Sequence, residues 1–274
     1  MKLQDELVVI TGANGGIGKA LCKEYLALGA VVCAFDLSKA SLDNELAGFK
    51  KKLFFYEVDV SSEKSILEAL AKISEKFKKP PFIWINNAGI ARVDHFENIS
   101  SADFDKILDV NLKGVIYGTR AALSVMKTPE RGHIANISSV NGAVATPFMT
   151  AYVASKHAVD GFTRSIQIEK SIKHSAIKIH LVSPGFARTK IMPQEGEFTL
   201  PKSFDFIVED PRVVALEIIN GISSGKNEIR PTIHAKLILE AARLMPGLNK
   251  IASRLLVAKN WKEIIGVNPI KQRK

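Results

Sequence analysis

Three side chains in the middle of the chain have the types and spacing for proton transfer. Tyr152 and Lys156 are four residues apart, so on a helix they share one face. A free tyrosine titrates at about pH 10 and is a poor base at neutral pH. An ammonium group held beside it favours the phenolate, each unit of lowering being worth about 1.4 kcal/mol. General acid–base catalysis requires such tuning toward the working pH. Ser139 lies 13 residues upstream of Tyr152 at the end of an apolar run, where a hydroxyl can donate to an oxygen on which charge develops. Ser138 competes for that role. Taken alone, Tyr-x-x-x-Lys is also what a packed tyrosine beside a surface lysine produces.

A second constellation lies near the N-terminus. Thr11-Gly12-Ala13-Asn14-Gly15-Gly16-Ile17-Gly18 follows an apolar run and leads into a segment of helical period. Small residues let a pyrophosphate approach the backbone, and the helix beyond offers N–H groups and partial positive charge to the anion. A tight turn alone can use the same glycines, but the strand-to-helix context is that of a dinucleotide site. Asp36 comes 18 residues after Gly18, where a carboxylate can accept from both ribose hydroxyls of an adenosine. It also repels a 2′-phosphate; Leu37 and Ser38 supply no arginine, and Lys39 is the nearby cation. The site therefore reads as one that prefers NAD over NADP, with a loop or capping role for Asp36 as the alternative.

The elements that must position these groups follow from patterning. Leu7–Thr11, Val31–Phe35, Leu53–Glu57, Phe82–Ile85, His133–Ile137 and Ile177–Val182 are short continuous apolar runs, as strands buried on both faces require. Helical periods over Gly16–Leu28, Ser62–Phe77, Asp103–Met126 and Tyr152–Ser171 alternate with them, and a seventh strand is expected near Glu228–Pro231. The alternation predicts an α/β fold, a single-domain Rossmann-type doubly wound parallel sheet of about seven strands with a C-terminal amphipathic helical extension. Residues 1–231 form the nucleotide-binding and catalytic domain in this reading. Within them the proline-rich stretch 190–211 is a loop long enough to be a substrate lid. Residues 232–274 form the extension.

These motifs, in this order, resemble the short-chain dehydrogenase/reductase family over roughly residues 5–190. The glycine turn has that family's Thr-Gly-x-x-x-Gly-x-Gly spacing. Asp59-Val60 resembles its adenine-holding pair. Asn86-Asn87-Ala88-Gly89 is similar to its Asn-Asn-Ala-Gly. Pro184-Gly185 with Thr189 resembles the Pro-Gly-x-x-x-Thr beside the nicotinamide carboxamide. The resemblance implies an NAD(P)-dependent oxidoreductase with Tyr152 as acid/base and Lys156 lowering its pKa and binding the nicotinamide ribose. It also implies that Ser139 steadies the substrate oxygen and that Asn111 holds a proton-relay water. The implied cofactor contacts are Gly12, Asn14, Gly15, Gly16, Ile17, Gly18, Asp36, Leu37, Asp59, Val60, Asn87, Ala88, Gly89, Tyr152, Lys156, Pro184, Gly185 and Thr189. A homodimer or homotetramer built on the helices carrying Asn111 and Tyr152 is likewise implied.

The segment Val140–Thr150 is apolar and uncharged, which suits a lipophilic alcohol or carbonyl such as a sterol, retinoid or fatty alcohol. A 3-hydroxyacyl or other small metabolite is the alternative, and a catalytically silent NAD(H)-sensing protein is the reading from another class. The tail places Leu237, Ile238, Ala241, Leu244 and Met245 on one stripe with interleaved Lys and Arg. That pattern fits either packing on the domain or peripheral contact with an anionic membrane surface. The net charge is +10, and residues 201–274 carry 13 Lys+Arg against 7 Asp+Glu, or +6 of it. No motif supports nucleic-acid binding. The two cysteines, Cys22 and Cys33, form no C-x-x-C pair, and the histidines show no metal-ligand spacing, so no metal is expected. With a short polar start and no apolar run of spanning length, the expected location is the cytoplasm.

Overall fold

The computed structural model describes residues 3–39, 42–127, 130–189 and 208–244. Seven strands form one parallel sheet: β1 Leu7–Thr11, β2 Val31–Asp36, β3 Leu53–Glu57, β4 Ile83–Asn86, β5 Gly132–Ile137, β6 Ile177–Val182 and β7 Glu228–Ile229. Their spatial order is β3-β2-β1-β4-β5-β6-β7. The order reverses between β1 and β4, so a crevice opens there at the carboxyl ends of the strands.

Helices cover both faces, which is why the strands read as unbroken apolar runs. Val8 and Ile10 of β1 pack with α1 (Gly16–Ala27) and α7 (Pro211–Ser223) through Leu21, Tyr25, Val214 and Ile218. Leu7 and Val9 point the other way, toward α3 (Glu63–Phe77) and α5 (Gly114–Val125) through Ile66, Ile73, Ala122 and Met126. A short helix α2 (Leu42–Glu45) precedes β3. The start of α3 is fixed by Ser62, whose hydroxyl accepts from the Ser65 N–H.

Two expectations need correction, and one left open is decided. The helical pattern of Asp103–Met126 is not one helix. It is α4 (Ser101–Leu108), a wide π turn at Asp109–Lys113, and α5. The turn follows α4 directly and holds the buried side chain of Asn111. Next, Pro211 is not part of a loop: it opens α7, because Asp210 caps the helix through the Arg212 N–H and a proline at the first position loses no intrahelical bond. The rest of the expected lid, residues 190–207, lies outside the described residues.

Finally, the tail begins as α8 (Ile233–Leu244), but its inner face is Ala235, Ile238 and Leu239 against Val140. Leu237 and Leu244 of the expected stripe are 63% and 75% exposed. The later stripes lie outside the described residues. Among the described residues no helix is long and apolar enough to cross a membrane.

Candidate active site

The glycine turn is built for close backbone approach. Gly12 has φ +62°, and a Cβ there would sit 2.7 Å from the Ala88 Cα, so the turn abuts the loop after β4 in a conformation that favours glycine. A Cβ on Gly18 would run into the Gly12 carbonyl. Gly15 precedes α1 without any side-chain cap, which leaves the first-turn N–H groups for an anion. Asn87 ties the two loops together: its Nδ2 donates to the Thr11 and Gly12 carbonyls at 2.9 and 3.0 Å. The N–H groups of Asn87 and Ala88 both donate to Thr11 Oγ1 at 3.0 Å. Thr189 closes the turn from the other side, its Cγ2 lying 2.5 Å from where a Gly16 Cβ would be.

Asp36 stands beside this cradle. Its carboxylate accepts from the Asn14 N–H and its own neighbour's, the Leu37 N–H, both at 2.8 Å. One donor thus comes from the glycine turn, which orients the acid toward the cradle. The Leu37 side chain is 66% exposed. Asp59 uses Oδ1 locally, accepting from the Ser61 N–H and hydroxyl at 2.9 and 2.7 Å. Val60 is buried against the start of α5.

The second group converges next to it. Gly89 joins the two, since a Cβ there would lie 3.5 Å from Asn111 Oδ1 and 3.6 Å from Lys156 Nζ. Tyr152, Lys156 and Asn111 are all buried, with Ser139 at the end of β5. Tyr152 and Lys156 lie on α6 (Thr150–Ile172). The Lys156 ammonium donates to the Ile137 carbonyl at 2.9 Å and lies 5.5 Å from the Tyr152 ring centroid. Ser139 Oγ accepts from the Asn141 N–H at 3.2 Å. Pro184 reaches the same turn, its carbonyl accepting from the Val140 N–H at 2.9 Å. Gly185 lies against Thr232 and Ala235.

Both donors of the Asn111 amide are committed. It accepts from the Ile90 N–H at 2.8 Å, and its two hydrogens go to the Ile90 carbonyl at 2.9 Å and Ser155 Oγ at 3.0 Å. The side chain therefore braces the loop after β4 against α6 and has no donor left for a water.

Charge tuning differs from the sequence expectation. Burial pushes the Tyr152 phenol up from its ordinary value, and the Ser139 hydroxyl works against that rise. Burial pulls Lys156 down to about 8, with Asp160 opposing. In the protein alone, desolvation dominates the shift of both side chains.

Sequence reasoning passed over a buried polar network that aligns the strand ends. Asn86 Nδ2 donates to Asn136 Oδ1 at 2.8 Å and to Thr119 Oγ1 at 3.1 Å, and Trp84 Nε1 donates to Asn86 Oδ1 at 2.8 Å. Asn136 Nδ2 continues to Thr163 Oγ1 of α6 at 3.1 Å. The available signal was an asparagine at the end of each of two apolar runs, since a buried amide requires partners. Ser155 and Asp160 were likewise unmarked. Arg92, in turn, pairs with Asp103 at 2.8 Å and Asp94 at 3.6 Å, and the His95 ring meets Phe148 edge-on at 4.8 Å. Among the described residues no group of three or more His, Cys, Asp or Glu could hold a metal ion. Cys22 and Cys33 are buried, and burial pushes the Cys33 thiol up to about 12.

The cradle without side chains, the uncapped helix start and the adjacent carboxylate fit a dinucleotide. Comparison with known proteins agrees in kind. Residues 6–199 match the family described as short chain dehydrogenase. The chain is 35% identical over 205 residues to a 3-oxoacyl-[acyl-carrier-protein] reductase of Thermotoga maritima, covering 73% of this chain and 82% of that one. In structure it is similar to a short chain dehydrogenase/reductase from Burkholderia phymatum in complex with NAD. That likeness has a TM-score of 0.75 at 22% identity, over 100% of this chain and 99% of that one. It is also similar to ElxO with NADP bound, with a TM-score of 0.74 at 28% identity, over 83% of this chain and 98% of that one.

Proposed function

The chain belongs to the short chain dehydrogenase family, and from that premise we propose that it moves a hydride between NAD and a lipophilic alcohol/carbonyl pair, with Tyr152 as the acid/base. The observation that carries this reading is the junction at Gly89, where the glycine cradle meets Lys156 and Asn111 within one crevice. When bound there, the nicotinamide dinucleotide supplies the hydride carrier, and the protein supplies orientation and proton management. In oxidation, Tyr152 takes the proton from the alcohol hydroxyl while Ser139 donates a hydrogen bond to the same oxygen. Lys156 holds positive charge behind the phenol. Asn111 acts by bracing, through Ile90 and Ser155.

The cofactor contacts are assigned as the sequence implied: Gly12 to Gly18 on the pyrophosphate, Asp36 on the adenosine ribose, and Thr189 near the carboxamide. The preference for NAD rests on Asp36, whose charge faces the position of a 2′-phosphate. A lipophilic substrate is supported by the apolar cluster of Ala91, Val93, Met149 and Val153 around Tyr152. Residues 1–231 serve as the catalytic unit, with 232–274 as an appended helical segment, and the enzyme works as a homodimer or homotetramer.

The test is NADH formation by the full chain with sterol, retinoid and medium-chain alcohols, with NADP in parallel. Turnover with NAD is expected, and Tyr152→Phe is expected to lower it by about 10²–10⁴-fold. Turnover restricted to NADP would overturn the Asp36 assignment. The second reading, reduction of a 3-oxoacyl thioester, is favoured by the name of the Thermotoga relative; activity on acetoacetyl thioesters and not on lipophilic alcohols would select it. Tight NADH binding without any turnover would select a sensor.

A further inference from the structure

We propose that Asp160 is a positioning residue for this proton transfer: its carboxylate clamps the turn carrying Ser139 onto α6 and provides the buried counter-charge to Lys156. The catalytic meaning rests on the function proposed above, while the clamp stands on geometry and the charge pairing on the four-residue helical spacing together with the influence of Asp160 on Lys156. Tyr152, Lys156 and Asp160 follow one another at four-residue steps along α6, and all three are buried. They therefore share the inward face of the helix. A buried carboxylate is retained only where hydrogen bonds and opposite charge offset its desolvation, so its partners indicate what it does.

The turn after β5 is folded around this group. The Ser138 hydroxyl donates to Asp160 Oδ1 in a short contact. On the far side of the turn, a Cβ on Gly142 would run into the same oxygen and lie 2.6 Å from Ser138 Oγ. Ser139 sits between these two points of contact, and its Oγ is oriented by the Asn141 N–H at 3.2 Å. The carboxylate thus bonds Ser138 and lies against Gly142, one on each side of the proposed substrate-binding hydroxyl along the turn.

The surrounding charges are few. Arg164 faces Oδ2 at 3.9 Å and is itself ion-paired with Glu228 of β7. His157 adds a weak positive influence and Glu228 a negative one, while burial pushes Asp160 above the usual carboxylate range. For Lys156, Asp160 is the acid that opposes the downward pull of burial. The upward push on the Tyr152 phenol is opposed by the Ser139 hydroxyl, which sits on the turn that Asp160 holds. Asp160 therefore acts on the acid/base site through Lys156 and through the Ser139 turn, without touching substrate.

The test uses the full chain labelled with ¹³C at lysine Cε, with Lys156→Gln assigning the resonance. The Lys156 midpoint is followed by NMR in wild type and Asp160→Asn. The amide retains size and accepts from Ser138, so a merely structural role would leave the midpoint unmoved. We expect it to fall by about one pH unit, and an unmoved midpoint in folded Asp160→Asn overturns the proposal. Should Asp160→Asn fail to fold, Ser138→Ala decides: without its hydroxyl partner the carboxylate favours its protonated form, so a smaller shift in the same direction is expected. No shift there overturns the proposal. If wild type shows no alcohol turnover, the functional reading falls while the titration still decides the counter-charge.

Discussion

At the scale of single residues, the site combines a phenol that burial holds protonated with an ammonium that burial makes reluctant to charge. Both effects are costs of placing polar groups at the base of a crevice. Lys156 moves from 10.5 to about 8 on folding, so the unfolded chain binds more protons between those values. Stability from this group therefore rises as pH climbs from about 8 to about 10.5, and below pH 8 the buried charge costs about 3 kcal/mol. Lys156→Met is expected to raise Tm at neutral pH and remove that alkaline gain while eliminating turnover; calorimetry across this range checks it. Tyr152→Phe keeps the ring and loses the proton, so kcat should fall by about 10²–10⁴-fold, the usual worth of a general acid/base, with NADH affinity retained in a fluorescence titration.

Elements set the distances between those residues. The cradle exists because the turn after β1, the loop after β4 and Thr189 meet with no side chain between them. Gly18→Ala drives a methyl into the Gly12 carbonyl, where backbone must move. We expect a loss of about 1–3 kcal/mol in denaturant unfolding and a larger proportional loss of NADH affinity, because the helix start shifts. Strand pairing carries a second titratable feature away from the crevice. His133 Nδ1 meets His180 Nε2 at 3.0 Å across β5 and β6, and burial lowers His133 to about 4 from 6.5. The folded state resists protonation that the unfolded chain accepts, so stability is present above about pH 6.5 and is lost as pH falls toward 4. The loss should be on the order of 1–2 kcal/mol, allowing for solvent contact at this residue. His133→Phe should flatten that part of the acid limb in urea titrations at stepped pH.

For the whole molecule, the proposed dinucleotide site draws on parts distant in sequence: the turn after β1, the acid ending β2, the loop after β4 and the start of α6. A ligand that bridges them stabilises the folded state by mass action, about 2.7 kcal/mol at a hundredfold excess over Kd. In a chain of this size that is a rise of about 5–10 °C in Tm. On the proposed placement of the adenosine ribose beside Asp36, NAD should produce that rise and NADP at equal concentration a clearly smaller one. Equal shifts would remove the basis for the preference. Asp36→Ala should narrow the difference between the two.

Local pattern was enough to read the sheet. Short apolar runs alternating with helical periods point to parallel strands, and β1, β3 and β6 appear with the boundaries their runs imply. The glycine turn, Tyr152 and Lys156 were legible for the same reason: turn chemistry and four-residue helical spacing act over a few residues. What required the tertiary structure was every relation between distant segments. Both amide hydrogens of Asn111 go to Ile90 and Ser155, a bracing role across the loop after β4 and α6 that its motif did not reveal. The Asn86–Asn136 network depends on two strands becoming neighbours. The pull of burial on Tyr152 and Lys156 depends on how much protein surrounds them, which no spacing encodes. The inward face of α8 was left open by the sequence because helical period fixes which residues share a stripe, and only the partner surface at Val140 decides which side turns inward.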